Sequence, residues 1–174
     1  EGWRYFATRA IRGFRAPYLS TGAGLDAALE KAGFAYDASR VSRGPQEPAA
    51  GAVTGFALPM IPEGPAGKPV IAMDYNLYVR HSGGFERPSE AEAFAERAHA
   101  AFRAALLAEM KGQRKPLQLG FHFTLMNDGA YWNALERFAR EVCPMPEVRC
   151  VSYGMLLEET APGGARPALR GGLD

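Results

Sequence analysis

The sequence predicts an α/β fold with a largely parallel sheet, and three observations carry that prediction. Segments with helical spacing alternate along the chain with short apolar or alternating runs, the order expected of βα units. Val70-Ile71-Ala72-Met73 is a continuous apolar run, the pattern of a strand buried on both faces, and it delivers Asp74-Tyr75-Asn76 at its C-terminal end, where α/β proteins place their chemistry. An Ala-rich stretch after Ser89 carries Phe94, Ala98, Phe102, Ala105 and Leu106 on one face and reads as a long amphipathic helix to Met110.

The remaining elements follow in order. Trp3, Phe6, Ala7 and Ala10 have helical spacing and predict the last turns of a helix over residues 3–10. Ile11 to Arg15 suits a short buried strand, stopped by Pro17. Leu25 to Ala32 predicts a helix closed by Gly33 as a left-handed cap, and Phe34 to Asp37 alternates as a strand does. Residues 42–69 are rich in Pro and Gly, with one or two strands expected within Val53 to Ile61 around Pro59. Ser89 and Glu92 have capping-box spacing. Leu117 to Phe123 predicts a strand, and Asn127 or Asp128 a cap for a helix from Ala130 to Val142. Val148 to Tyr153 predicts a last strand, followed by a short helix to Glu159. Residues 1–160 are expected to form one domain, with 161–174, dominated by Pro, Gly and Arg, as a mobile tail.

With 47% hydrophobic and 22% charged residues over 174 positions, the chain has the composition of a globular domain with a sizeable core. Twenty basic and nineteen acidic residues leave a net charge of +1, so no global field draws nucleic acid or an anionic membrane, and the expected partner is neutral or small. No apolar run approaches the roughly 18 residues needed to span a bilayer. The chain opens on Glu1-Gly2-Trp3-Arg4, without Met or a secretory signal, so its natural N-terminus is expected upstream. Cys143 and Cys150 flank a short loop holding Pro144 and Pro146; they are either two partly buried thiols or a local disulfide, which would imply an oxidising compartment.

Two stretches carry chemistry. Arg15-Ala16-Pro17-Tyr18 puts a guanidinium, a rigid proline and an aromatic in one turn after an apolar run, the layout of an active-site loop. Leu119-Gly120-Phe121-His122 places a histidine at the end of a predicted strand; an imidazole, with an ordinary pKa of about 6.5, exchanges protons readily near neutrality. Taken singly, each has a plain reading: a surface arginine on a turn, a core histidine, and an Asp74 that merely caps the loop after its strand.

Taken in order, these stretches resemble the second half of the polysaccharide deacetylase family, also called carbohydrate esterase family 4 or the NodB-homology domain. Arg15, Pro17 and Tyr18 match its Arg-x-Pro-Tyr motif, and Leu119 to His122 its Leu-x-x-His motif. Gly33-Phe34-Ala35-Tyr36-Asp37-Ala38-Ser39 resembles its Gly-Phe-x-Tyr-Asp-Ser-Ser segment, and Phe121 through Trp132 resembles one bacterial branch. The similarity covers most of residues 3–157. It implies a partial, distorted (β/α) barrel lacking its N-terminal strands, and a metal-dependent hydrolase removing N-acetyl groups from a polysaccharide or amino sugar. His122 would be the general acid, Asp74 its orienting partner, Arg15 the clamp on a catalytic aspartate, and the Tyr18 amide part of an oxyanion hole. Tyr75, Asn127 and Trp132 would face substrate; Tyr75 stands where the family more often has Trp.

The family's Thr-Phe-Asp-Asp and His-Ser/Thr-x-x-His motifs, which supply the base and the metal ligands, do not occur. The resemblance therefore implies zinc or another divalent ion in a complete enzyme, a preceding segment that brings its ligands, and no metal site in this chain alone. His81, in an apparent surface loop, and His99, on a helix face, match neither motif. Gly22-Ala23-Gly24 lacks the lysine of a phosphate loop, and Lys111, Arg114 and Lys115 suit a helix C-terminus. The resemblance and the cysteines together imply a periplasmic or secreted protein, with a cytoplasmic one as the alternative. The competing functional reading is an inactive fragment or a pseudo-enzyme that only binds saccharide.

Overall fold

A computed structural model of the chain describes residues 11–160. The helix expected over 3–10 and the tail from 161 onward lie outside the described residues. The fold is mixed α/β and divides into two compact units, one containing residues 11–40, 48–57 and 152–160, the other 41–47 and 58–151.

In the first unit, β1 (Gly13–Phe14) runs parallel to β2 (Tyr36–Ser42), with Gly13 opposite Tyr36 and Phe14 opposite Asp37. A Cβ at Gly13 would come within 2.0–2.4 Å of the outer end of the Tyr36 side chain, which would have to move to admit it. Between the strands lies α1 (Leu25–Lys31), followed by Gly33 at φ 79°, the left-handed closure that the sequence predicts. Thr54 at the start of β3 (Thr54–Glu63) donates its N–H to the Ala35 carbonyl at 3.0 Å. The rings of Tyr36, Phe56 and Tyr153 pack together, with centroids 4.6–5.7 Å apart, and Tyr153 opens α5 (Tyr153–Thr160).

The second unit begins its main framework with the end of β3, which turns back into β4 (Lys68–Ile71) as an antiparallel hairpin; Met60 pairs with Ile71 and Glu63 with Lys68. The expected parallel arrangement is therefore only partial. The expectation of one or two strands around Pro59 resolves into one ten-residue strand through both Pro59 and Pro62. It tolerates them because Pro62 lies opposite Pro69, while the Pro59 carbonyl still accepts the Ala72 N–H at 2.9 Å. The chain then enters α2 (Asp74–Ser82), which Gly83 closes at φ 72°.

Two long helices hold the core of this unit. Along α3 (Ala91–Lys111) Phe94, Ala98, Ala101, Phe102 and Ala105 are buried at the predicted spacing; they meet Ala130, Tyr131, Ala134, Phe138 and Val142 of α4 (Met126–Val142). Alanines at the facing positions let the axes approach while Phe102 and Phe138 fill the seam, their rings 5.9 Å apart. Deleting a ring as buried as that of Phe102 typically costs about 3–5 kcal/mol.

Three local expectations fail. Ser89 makes no side-chain cap: a 3-10 turn (Pro88–Glu90) leads into α3, and Glu92 is taken instead by Arg137 through two contacts of 2.7 Å. Asn127 and Asp128 are not conventional caps, since both sit at left-handed φ of 50° and 54° before Gly129 at 76°. Leu117 to Phe123 and Val148 to Ser152 do not form strands; the first makes a single parallel bridge, Gly120 to Met73. Cys143 and Cys150 form a disulfide with Cα atoms 5.5 Å apart, at the end of α4. No helix among the described residues is long and apolar enough to cross a membrane.

Candidate active site

Asp74 owes its position to that single bridge. Gly120 donates its N–H to the Ala72 carbonyl at 2.8 Å and accepts that of Asp74 at 3.0 Å, locking the end of β4 beside the Leu119–His122 segment. The chain turns helical at once, so Asp74 occupies the first turn of α2, where a negative charge suits the helix dipole. Its carboxylate is fully buried and fully employed. Oδ1 accepts the Tyr75 N–H at 2.7 Å and faces His122 Nδ1 at 2.6 Å; Oδ2 accepts the His122 backbone N–H, also at 2.6 Å.

One carboxylate thus fixes both the main chain and the ring of the same histidine. An ionised carboxylate only accepts, so Nδ1 carries the hydrogen and Nε2 is the nitrogen left to exchange protons. The His122 side chain is 53% exposed against 1% for Asp74. A buried anchor under an exposed imidazole is an arrangement suited to acid–base chemistry.

The Tyr75 ring stands edge-on to that of His122, centroids 6.3 Å apart, and is half exposed. Trp132 is tied to the same segment from the other side: its Nε1 donates to the His122 carbonyl at 3.1 Å, and its ring packs against Phe121 at 5.1 Å. Phe123 and Leu125, which sequence reasoning did not single out, present exposed apolar side chains just past His122.

Asn127, expected beside substrate, lies in the interior. It is wholly buried, and its donors and acceptor are all spent. Its N–H goes to Glu86, its Oδ1 accepts from the Arg87 N–H, and its Nδ2 donates to Ser82 and to the Tyr131 hydroxyl. Tyr131 is likewise core, with burial pushing its hydroxyl up to about 12. The left-handed backbone at Asn127 gave no composition or spacing signal of this role.

Arg15 and Tyr18 belong to the first unit. Arg15 Nε donates to the Ala38 carbonyl at 2.9 Å and Nη2 to the Tyr153 hydroxyl at 3.1 Å, with the guanidinium 5.9 Å from the Tyr153 ring centre. Burial pushes the Tyr153 hydroxyl up, against the pull of Arg15. Tyr18 lies in a 3-10 turn (Pro17–Leu19) with a fully exposed ring and a left-handed backbone at φ 55°, and Leu19 follows at 54°. Such conformations cost non-glycine residues about 1–2 kcal/mol each.

His81 corrects the sequence reading. It lies on α2, not in a loop, and its side chain is fully buried. Nε2 faces Glu63 Oε1 at 3.2 Å and Nδ1 the Tyr131 hydroxyl at 3.5 Å. Burial foremost, then the nearby Arg97 guanidinium, push its pKa down to about 4. Arg97 bonds the same Glu63 oxygen at 2.7 and 3.1 Å. His99 contacts Glu141 at 2.9 Å, next to Arg103 at 2.6 Å from that carboxylate.

These partnerships decide whether the chain's residues fit a divalent metal. Among the described residues no three His, Cys, Asp or Glu side chains are grouped to hold one. Glu63 is committed to Arg97 and His81, and both oxygens of Asp74 to His122 and Tyr75. Among the described residues the donor set does not fit a metal centre.

No family model matches the chain, and no curated protein does. Among solved structures the chain is similar to a candidate polysaccharide deacetylase from Mycobacterium smegmatis, with a TM-score of 0.60 and 25% identity. The match covers 90% of this chain and 51% of that one, so the sequence spans about half of that protein's length.

Proposed function

We propose that this chain carries the general-acid half of a hydrolytic site that removes N-acetyl groups from an amino sugar or polysaccharide, on part of a distorted (β/α) barrel. The observation that carries the reading is the grip of Asp74 on both the backbone and Nδ1 of His122, which leaves Nε2 exposed. The likeness to the mycobacterial protein supports it.

In the reaction, water adds to the N-acetyl carbonyl, losing a proton to a general base, which the family resemblance implies is an aspartate, and the carbon–nitrogen bond breaks. The Nε2 proton of a protonated His122 passes to the departing amine, giving a free amino sugar and acetate. Asp74 holds the ring in register throughout. Tyr75 and the exposed Phe123 offer apolar surface to the substrate beside the ring. Arg15 and Tyr18 enter this reading through their motif alone, as clamp and oxyanion donor. The described side chains group no ligand set for a metal. That same observation favours a second reading, a domain that binds an N-acetylated glycan without turning it over.

Acetate release from an N-acetylglucosamine oligomer by the full-length protein tests the proposal, with His122→Ala as its control. Release that falls by about 10²–10⁴ in the variant supports it. A wild-type protein that binds the oligomer without releasing acetate favours the second reading, and undiminished release by the variant removes His122 from the chemistry.

A further inference from the structure

The Arg15–Leu19 loop is held from outside by β2. Arg15 Nε donates to the Ala38 carbonyl at 2.9 Å, and the next residue, Ala16, donates its buried N–H to Ser39 Oγ at 2.7 Å. Within the loop, the N–H groups of Leu19 and Ser20 close onto the carbonyls of Ala16 and Pro17, both at 3.1 Å. The two consecutive left-handed residues, Tyr18 and Leu19, thus follow directly from the point where Ser39 grips the chain. Strained backbone of this kind persists only where its surroundings over-determine it.

Ser39 is itself fixed. A hydroxyl has one hydrogen, and with a lone pair taken by the Ala16 N–H, that hydrogen goes to Asp37 Oδ1. The same oxygen accepts the Ser39 backbone N–H at 3.2 Å. Asp37 and Ser39 are each 1% exposed. Among the described residues Asp37 Oδ2 has no hydrogen-bond partner; Arg40 Nε is 4.0 Å from it, and that guanidinium is drawn to Asp26 at 2.5 Å. A buried carboxylate with one oxygen unsatisfied is costly to keep, and here its visible work is to orient a single hydroxyl.

We propose that Asp37 and Ser39 are positioning residues for the reaction: Asp37 sets the Ser39 hydroxyl, Ser39 pins the Ala16 amide, and the pair imposes the left-handed turn that presents Tyr18. The inference rests on the deacetylase reading for its catalytic consequence, while the hydrogen-bonded chain from Asp37 to Ala16 stands on geometry.

Two measurements on the full-length protein decide it. Amide hydrogen exchange reads the pin directly: Ser39→Ala should speed exchange at Ala16 and Leu19 by about 10- to 100-fold while β2 stays protected, and Ser39→Thr, which keeps the hydroxyl, should stay near wild type. Acetate release reads the consequence: Ser39→Ala should lower kcat about tenfold or more with KM within roughly twofold, the split expected when a transition-state contact is misplaced. Asp37→Asn should lie between wild type and Ser39→Ala in both. Unchanged protection at Ala16 in Ser39→Ala overturns the proposal, as does faster exchange with an unchanged kcat. A wild-type protein that releases no acetate defeats the functional reading; the exchange arm then decides the pin by itself, for or against.

Discussion

His122 and His81 each lie against a carboxylate in the same unit, 2.6 Å from Asp74 and 3.2 Å from Glu63. The pairs differ in what surrounds them. Asp74 serves His122 alone among ionisable side chains and leaves the second ring nitrogen at the surface. Glu63 is shared with Arg97, the His81 ring stacks on Phe94, and its second nitrogen faces the Tyr131 hydroxyl. On the proposed reading, a histidine–carboxylate contact is therefore not by itself a mark of chemistry. The marks are a free nitrogen, access to solvent and a partner with no competing cation.

The largest expected effect tests that division directly. His122→Ala should lower acetate release by about 10²–10⁴ and leave the melting temperature nearly unchanged, since an exposed ring is lost. His81→Gln should do the reverse, costing stability with any kcat of the folded protein unaltered. If His81→Gln slows turnover as much as His122→Ala does, the distinction between the two fails.

Asp74→Asn comes next. It removes charge from a group accepting two N–H bonds and one ring contact, so turnover should fall by about 10–10², within the range for a weakened general acid. Stability should fall by about 1–3 kcal/mol as buried hydrogen bonds weaken. Denaturant titration alongside the assay separates the two losses.

The pH dependence sharpens the other half. The folded-state pKa of His81 is about 4, below the ordinary 6.5. Between these values the unfolded chain binds a proton that the folded one refuses. The stability contributed by neutral His81 is full above pH 6.5 and is lost as pH falls toward 4, by roughly 3 kcal/mol at most. His81→Gln should flatten that slope, and an unchanged slope would place the titrating group elsewhere.

The smallest effect concerns the clip at the end of α4. Reducing Cys143–Cys150, whose cysteines are seven apart in sequence, should cost about 2–3 kcal/mol, the loop-closure value for so short a ring. Turnover by the folded fraction should not change. Mass spectrometry without reductant checks that the bond is present; two free thiols in protein from its native compartment would contradict it.

What the sequence makes legible here follows from periodicity and turn chemistry. The apolar face of α3 and the Gly33 closure of α1 depend on local spacing, and they stand where the residues imply; the helix Asp74–Ser82 with its Gly83 closure went unread. Asp74 and His122 were readable as ends of two apolar runs, which one bridge at Gly120 brings together. Long-range partners were not readable. Nothing near Ser89 signals that Arg137 will claim Glu92, and nothing near His81 signals Glu63 and Arg97. The run Leu117–Phe123 has a strand's composition, but a ladder needs a neighbour at each step, and only Gly120 pairs with Met73. Tyr153 shows the same limit: its part in holding Arg15 depends on a fold that returns the chain after 138 residues.

The hydrogen bond from Trp132 to the His122 carbonyl has an optical consequence. The chain has two tryptophans, Trp3 and Trp132. In a Trp3→Phe background, indole emission comes from one fluorophore, attached through its Nε1 to the peptide carbonyl of the candidate general acid. Any displacement of that peptide alters the environment of the excited indole. The protein thus contains its own reporter: if the proposed function holds, a titration followed in emission should register a saccharide settling at His122 before any bond is broken.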